Sequence, residues 1–158
     1  MDFRCSNGGT TSLNRGTIFM TNKKDKQFHA DCFACGSDNI QGLNMKFENG
    51  LDGSTCHVSI PKKFQSYEGT VHGGIVATIL DAAMVHALRQ NSGGNPFTCR
   101  LEVRYLRPVP LGKILTVNAR ATGKRGRVML ADAEIMYLNQ CYARGHGAFT
   151  LQINLKRQ

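Results

Sequence analysis

Tryptophan is absent from this 158-residue chain, proline occurs only 4 times, and aromatic residues make up 8%. No apolar run approaches the ~20 residues that a membrane-spanning helix needs, so no membrane association is expected. The opening stretch MDFRCSNGGTTSLNRG lacks the apolar core of a signal peptide, which makes the cytoplasm the expected compartment. Three signatures are also missing. Without GxGxxG or GxxxxGK[ST], dinucleotide and nucleoside-triphosphate enzymes are disfavoured; without a GxSxG elbow, so is α/β-hydrolase chemistry. Acidic residues are scarce: 11 Asp and Glu stand against 20 Lys and Arg, a formal charge of +9. Such a balance attracts anions in general. The basic residues are scattered through the chain rather than gathered in one block, which favours a solubilising surface over a nucleic-acid track. A phosphate-bearing ligand such as a thioester carrier fits the charge as well.

What is present is ordinary globular composition, with 41% hydrophobic residues and 17 glycines, and the length suits one domain with a real core. Residues 1–27 read as a polar, poorly ordered arm, and residues 28–158 as the single folded domain. Leu43 to Asn49 and Ser54 to Ile60 are expected to form a hairpin around NGLDG. A helix is expected from about Val71 to Gln90, apolar nearly all round and therefore a core element. SGGNP, Ser92 to Pro96, ends it. Alternating segments follow at Thr98–Leu106, Ile114–Thr122, Arg127–Leu138 and Cys141–Leu155, with a turn at GKRG (Gly123 to Gly126). Hairpin, buried helix and then four strands in a meander predict an α+β fold, an antiparallel sheet wrapped on one central helix. The sheet's edges need protection, and pairing them across a two-fold axis achieves it.

The densest chemistry lies in GTVHGGIVATILDAAMVHAL, Gly69 to Leu88. Gly73 and Gly74 leave backbone N–H groups open at a helix N-terminus, where developing negative charge is stabilised. Asp81 then sits inside an apolar helix, a costly place for a carboxylate that is not paired or used. An oxyanion site and a carboxylate from one helix point to acyl-transfer or hydrolytic chemistry. Nine residues of helix span about 13 Å, so one helix cannot bring both groups to the same atom. Two antiparallel helices across a two-fold axis can. The plainer reading of Asp81 is a buried, hydrogen-bonded carboxylate that fixes a dimer. His72 is expected to hold the loop before Gly73 or touch substrate, rather than serve as base. His86, five residues after Asp81, is expected to be structural or interfacial, and His146 to sit at an interface.

Six cysteines in a chain of this kind are expected to be reduced. Cys56, Cys99 and Cys141 read as small hydrophobes within strand patterns. Cys32 and Cys35 form CFACG behind His29. That supplies three metal ligands where a structural zinc takes four; no second CxxC follows, and Cys5 is remote. A compact loop packing Phe33 onto the core is favoured, with no metal.

CFACG with NIQGL, EGTVHGGIVATILDAAM, LEVRYLRPVPLG and the closing GHGAF together resemble the hotdog-fold acyl-CoA thioesterases of the PaaI-like group, over roughly residues 28–155. The resemblance implies a homodimer or dimer of dimers acting on an acyl- or aryl-CoA thioester, with coenzyme A present only as part of the substrate and no other cofactor. It places Gly73 in the oxyanion role, with Gly74 allowing close packing, and gives Asp81 the part of general base or nucleophile across the dimer interface. The family's usual Asn, six positions before the histidine, is Ser66 here, and Gln65 is its neighbour; one of them is expected to orient water. Phe64, Tyr67, Ile79, Ala83 and Met84 are expected to line the acyl pocket, and Arg104, Arg107, Lys124 and Arg125 to hold the phosphates of coenzyme A. A non-catalytic thioester- or small-ligand-binding protein of the same fold stays open as the alternative, since the Asn is missing. A hydratase ranks lower, for want of a second acidic or histidine partner in the helix.

Overall fold

The structure, a computed structural model, describes residues 29–50 and 53–151. The expected N-terminal arm, Cys5 and the two residues at the tip of the first hairpin lie outside them. Strands β1 (Phe47–Gly50), β2 (Gly53–Ser59), β3 (Pro96–Tyr105), β4 (Ile114–Arg125), β5 (Val128–Tyr137) and β6 (Gln140–Leu151) form one antiparallel sheet, in the order β1-β2-β4-β5-β6-β3. Among the described residues a single α-helix, α1 (Gly73–Ser92), packs on one face of it.

Helix α1 buries Val76, Ile79, Leu80, Ala83, Met84, Ala87 and Leu88, a set spaced three and four residues apart that forms one continuous stripe. The sheet answers with a period of two. Leu115, Val117 and Ala119 of β4, Ala131, Ala133 and Ile135 of β5, and Ala143 and Phe149 of β6 all point inward. Ser54, the buried polar residue of β2, is satisfied by donating to the Ala83 carbonyl at 2.9 Å, which fastens strand to helix. Beneath the helix the inner face of β6 carries glycine. A Cβ at Gly147 would lie 2.4 Å from the Phe149 ring, and one at Gly145 would lie 3.2 Å from the Leu80 Cβ. The helix therefore rests close on that strand.

Several expectations need correction. Helix α1 starts two residues late because His72, extended at φ −60° and ψ 136°, caps it with its own ring. Leu43 and Met45 are buried but are not strand. Their N–H groups bond Phe33 and Ala34 of the preceding loop, and Asn44 between them has φ 49°. The four later strands are not a simple meander: β4, β5 and β6 are consecutive neighbours, whereas β3 pairs with β6 at the far edge. Helix α1 crosses the sheet and delivers the chain there. Strand β4 runs on to Arg125 through an irregularity between Ala121 and Gly123, so Gly123–Arg125 are strand and the turn is Gly126–Arg127. Cys99 is exposed rather than a buried small hydrophobe.

Candidate active site

The edge strand β3 runs beside helix α1 in the opposite sense and touches it through two polar contacts. Near its start the Thr98 hydroxyl donates to Asp81 Oδ1 at 2.7 Å, and at its end the Tyr105 hydroxyl donates to the Gly73 carbonyl at 3.0 Å. Simple alternation would not put both residues on one face. The register slips between Thr98 and Arg100, leaving Cys99 as the extra residue of a bulge. Beyond the slip Leu101, Val103 and Tyr105 oppose the inward positions Gly147, Gly145 and Ala143, while Thr98 opposes the inward Phe149. The bulge is what turns Thr98 toward Asp81.

Asp81 is half-buried. Burial pushes its carboxyl above the ordinary carboxylate value, and the hydrogen bond from Thr98 pulls in the other direction. A carboxylate held in one rotamer, partly stripped of water and raised in basicity, is equipped to accept a proton.

At the helix N-terminus the early donors are distributed unequally. His72 Nδ1 accepts from the Gly74 N–H at 3.0 Å, which leaves that ring nitrogen unprotonated. Ile75 and Val76 both donate to the His72 carbonyl. The Gly73 N–H has no partner among the described residues, and it sits where the helix dipole is positive. Gly74 allows the cap to form: a Cβ there would meet the His72 ring at 3.2 Å.

The remaining expected site residues divide. Gln65 and Ser66 sit next to this helix start, since His72 donates its N–H to the Phe64 carbonyl. Their side chains bond within their own loop, Gln65 Oε1 accepting from the Gly69 N–H and Ser66 Oγ donating to the Thr70 carbonyl. Tyr67 is fully in solvent at 85% exposure, whereas Phe64 is half-buried and meets Phe33 edge to face. Ile79, Ala83 and Met84 have no exposed surface at all. They are core residues pressed against the sheet and present no wall to a ligand, because the stripe that looks amphipathic in sequence is the one the sheet covers. Arg104 lies on the outer face of β3, opposite Arg144, and Arg107 donates to the Cys141 carbonyl at 2.8 Å. Lys124 shares a rung with Thr98, through Met129 and Phe149, three strands or roughly 14 Å away, and Arg125 follows it. Arg107 and the Lys124–Arg125 pair thus stand at opposite ends of the sheet.

Of the other histidines, His86 stacks on Phe47 with ring centroids 4.1 Å apart, and His146 Nδ1 contacts Asp132 Oδ1 at 2.6 Å across β5 and β6.

Residues 68–140 match the family model described as Thioesterase superfamily. Residues 68–140 are thus similar to that superfamily, and the sheet wrapped on one long helix is the hotdog fold. Over 87 residues it is 29% identical to the acyl-coenzyme A thioesterase THEM4 of Bos taurus, a match covering 54% of this chain and 35% of that protein. The chain spans about a third of the length of the curated relatives it matches. A solved thioesterase superfamily protein superposes with a TM-score of 0.67 at 27% identity, covering 73% of this chain and 60% of the other. The E. coli PaaI protein of the phenylacetic acid degradation operon shares the fold, with a TM-score of 0.62 at 19% identity over 68% of this chain and 83% of that one. Among the described residues, no helix is long and apolar enough to cross a membrane.

Proposed function

We propose that this hotdog domain hydrolyses an acyl- or aryl-CoA thioester to the carboxylate and free coenzyme A, using Asp81 of one subunit and Gly73 of its partner in a homodimer. The observation that carries the reading is the Thr98–Asp81 contact: a half-buried carboxylate of raised basicity, fixed from the edge strand, two turns along a helix whose first amide is open. Water attacks the thioester carbonyl carbon and Asp81 takes its proton. The carbonyl π electrons move onto oxygen, where the Gly73 N–H and the helix dipole hold the charge. Collapse of the intermediate breaks the C–S bond, and the proton passes from Asp81 to the leaving sulfur. The superfamily match and the naming of the THEM4 relative as an acyl-coenzyme A thioesterase support the reaction class.

Two antiparallel copies of helix α1 bring Asp81 of one chain beside Gly73 of the other, and with it the loop holding Gln65 and Ser66. The same two-fold operation brings the Lys124–Arg125 end of one sheet toward the Arg107 end of its partner, which gathers cations for the coenzyme A phosphates. Strand β3 offers the edge for such pairing, with Phe97 51% and Tyr105 55% exposed along it.

The test is a panel of acyl- and aryl-CoA thioesters with release of free thiol followed directly. Turnover by the natural protein and its loss in Asp81→Asn supports the reaction; no turnover above that variant for any thioester overturns it in favour of a ligand-binding role. Mixing inactive Asp81→Ala and Gly73→Pro chains tests the shared site. A heterodimer then has one site with both defects and one with neither, so activity should partly return. Proline is tolerated at the first helical position, so this variant removes the N–H with little harm to the helix.

A further inference from the structure

The loop before β1 gathers three ligand atoms of a kind the thioesterase site does not use. One nitrogen of His29 and the sulfurs of Cys32 and Cys35 all lie within 4.8 Å of one another, each side chain half-buried. The loop is built to hold them there. Cys32 donates its N–H to the His29 carbonyl at 3.0 Å, Gly36 to the Cys32 carbonyl at 2.9 Å, and Asp38 to the Ala30 carbonyl at 2.9 Å. These bonds coil residues 29–38 so tightly that a Cβ at Gly36 would fall 2.4 Å from the Ala30 carbonyl oxygen. Leu43 and Met45 then tie the coil to the segment entering β1. The coil is also seated on helix α1, with the His29 ring 5.8 Å from that of His86.

We propose that His29, Cys32 and Cys35 bind a thiophilic divalent metal ion of the zinc class, which pins this loop to the C-terminal half of helix α1. Two thiolates and one neutral imidazole neutralise a dication, and this mixture of soft sulfur and nitrogen is the set zinc prefers. Zn–S bonds of about 2.3 Å and Zn–N bonds of about 2.0–2.1 Å put tetrahedral ligand atoms roughly 3.5–3.8 Å apart. The three atoms need to close by only about an ångström, within the reach of small side-chain rotations. The three described ligands leave a fourth position for water or another donor. The site is separate from Asp81 and does not depend on the hydrolase reading.

The test uses the full chain, purified under reducing conditions, loaded with zinc, freed of excess and analysed for metal by mass spectrometry. About one zinc per chain is expected, and replacing it with cobalt should produce the absorption of a thiolate-to-cobalt charge transfer. The Cys32→Ser/Cys35→Ser double variant should retain less than ~10% of the metal and show no such band. A metal-free natural protein after loading overturns the proposal, as does a double variant that keeps the same metal content. Should the double variant not fold, the natural protein still decides. A chelator is then expected to release the zinc, expose two further reactive thiols and lower the melting temperature. Unchanged thiol reactivity and melting temperature overturn the proposal.

Discussion

The two edges of the sheet are built differently. Strand β1 is 4 residues long, and its Phe47 is occupied by stacking on His86. Strand β3 is 10 residues long, bulged, and carries exposed Phe97, Cys99 and Tyr105. A short edge offers a partner chain little to pair with, whereas a long one with apolar side chains is an invitation. The contacts at the candidate site follow the same division. The links through Thr98 and Tyr105, at Asp81 and Gly73, come from β3, whereas among the described residues β1 makes no such link and the Ser54 bond to the helix comes from β2. The edge that offers association is thus the edge that positions the carboxylate.

The sharpest way to break this comparison is at Asp81 itself. Asp81→Asn should lower thioester turnover by roughly 100-fold or more, because the proton acceptor of the transition state is lost. Calorimetry on the same variant should show stability at neutral pH that is no lower than that of the natural protein. Next comes the edge. Phe97→Glu on β3 should shift the protein toward monomer in light scattering and lose activity in step, whereas Glu48→Lys on β1 should change neither. An unchanged dimer in the first variant would mean that β3 is not the association edge.

Thr98→Val should reduce kcat by roughly tenfold, the scale of one hydrogen bond to a charged group. The bond from Thr98 lowers the Asp81 pKa, so its removal should move the acid limb of the pH–rate profile upward, and Thr98→Ser should restore it. A drop in kcat with the profile unmoved would mean that Thr98 acts only in packing. Tyr105→Phe, which removes a single bond to a backbone carbonyl, should cost a few-fold at most. The smallest effect concerns stability against pH. The folded-state pKa of Asp81 lies above its unfolded value, so between the two the native state binds more protons than the unfolded chain. Stability should therefore fall as pH rises through the carboxylate range, and thermal melts of Asp81→Asn should show a flatter dependence.

Much of this was readable beforehand. The helix, its glycine start and the odd carboxylate follow from composition and spacing, because the burial of α1 obeys a single period. The inward faces of β4 and of β3 beyond Cys99 follow from a period of two. Thr98 does not. By parity it belongs with Arg100, Glu102 and Arg104 on the outer face, and only the bulge at Cys99 turns it inward. A one-residue insertion in register leaves no mark in an alternating pattern that is already polar. The place of β3 beside β6 was hidden too, since sequence neighbours predict a meander and the helix crossover overrides it. Ile79, Ala83 and Met84 read as pocket lining in the sequence because an apolar helix looks the same from every side until the sheet chooses one. His29, Cys32 and Cys35 were visible as letters, but their convergence depends on the backbone coil.

Gly145 and Gly147 set a mechanical clearance. Leu80, the residue before Asp81, and Met84, one turn further on, ride directly over these two bare positions of β6. A methyl group at either one would act as a shim under the helix, lifting the carboxylate away from a hydroxyl anchored to a different strand. Gate and tolerance are thus separated in this molecule. The proposed carboxylate belongs to the helix and its hydrogen-bond donor to the edge strand, while the distance between them is machined by residues with no side chain at all.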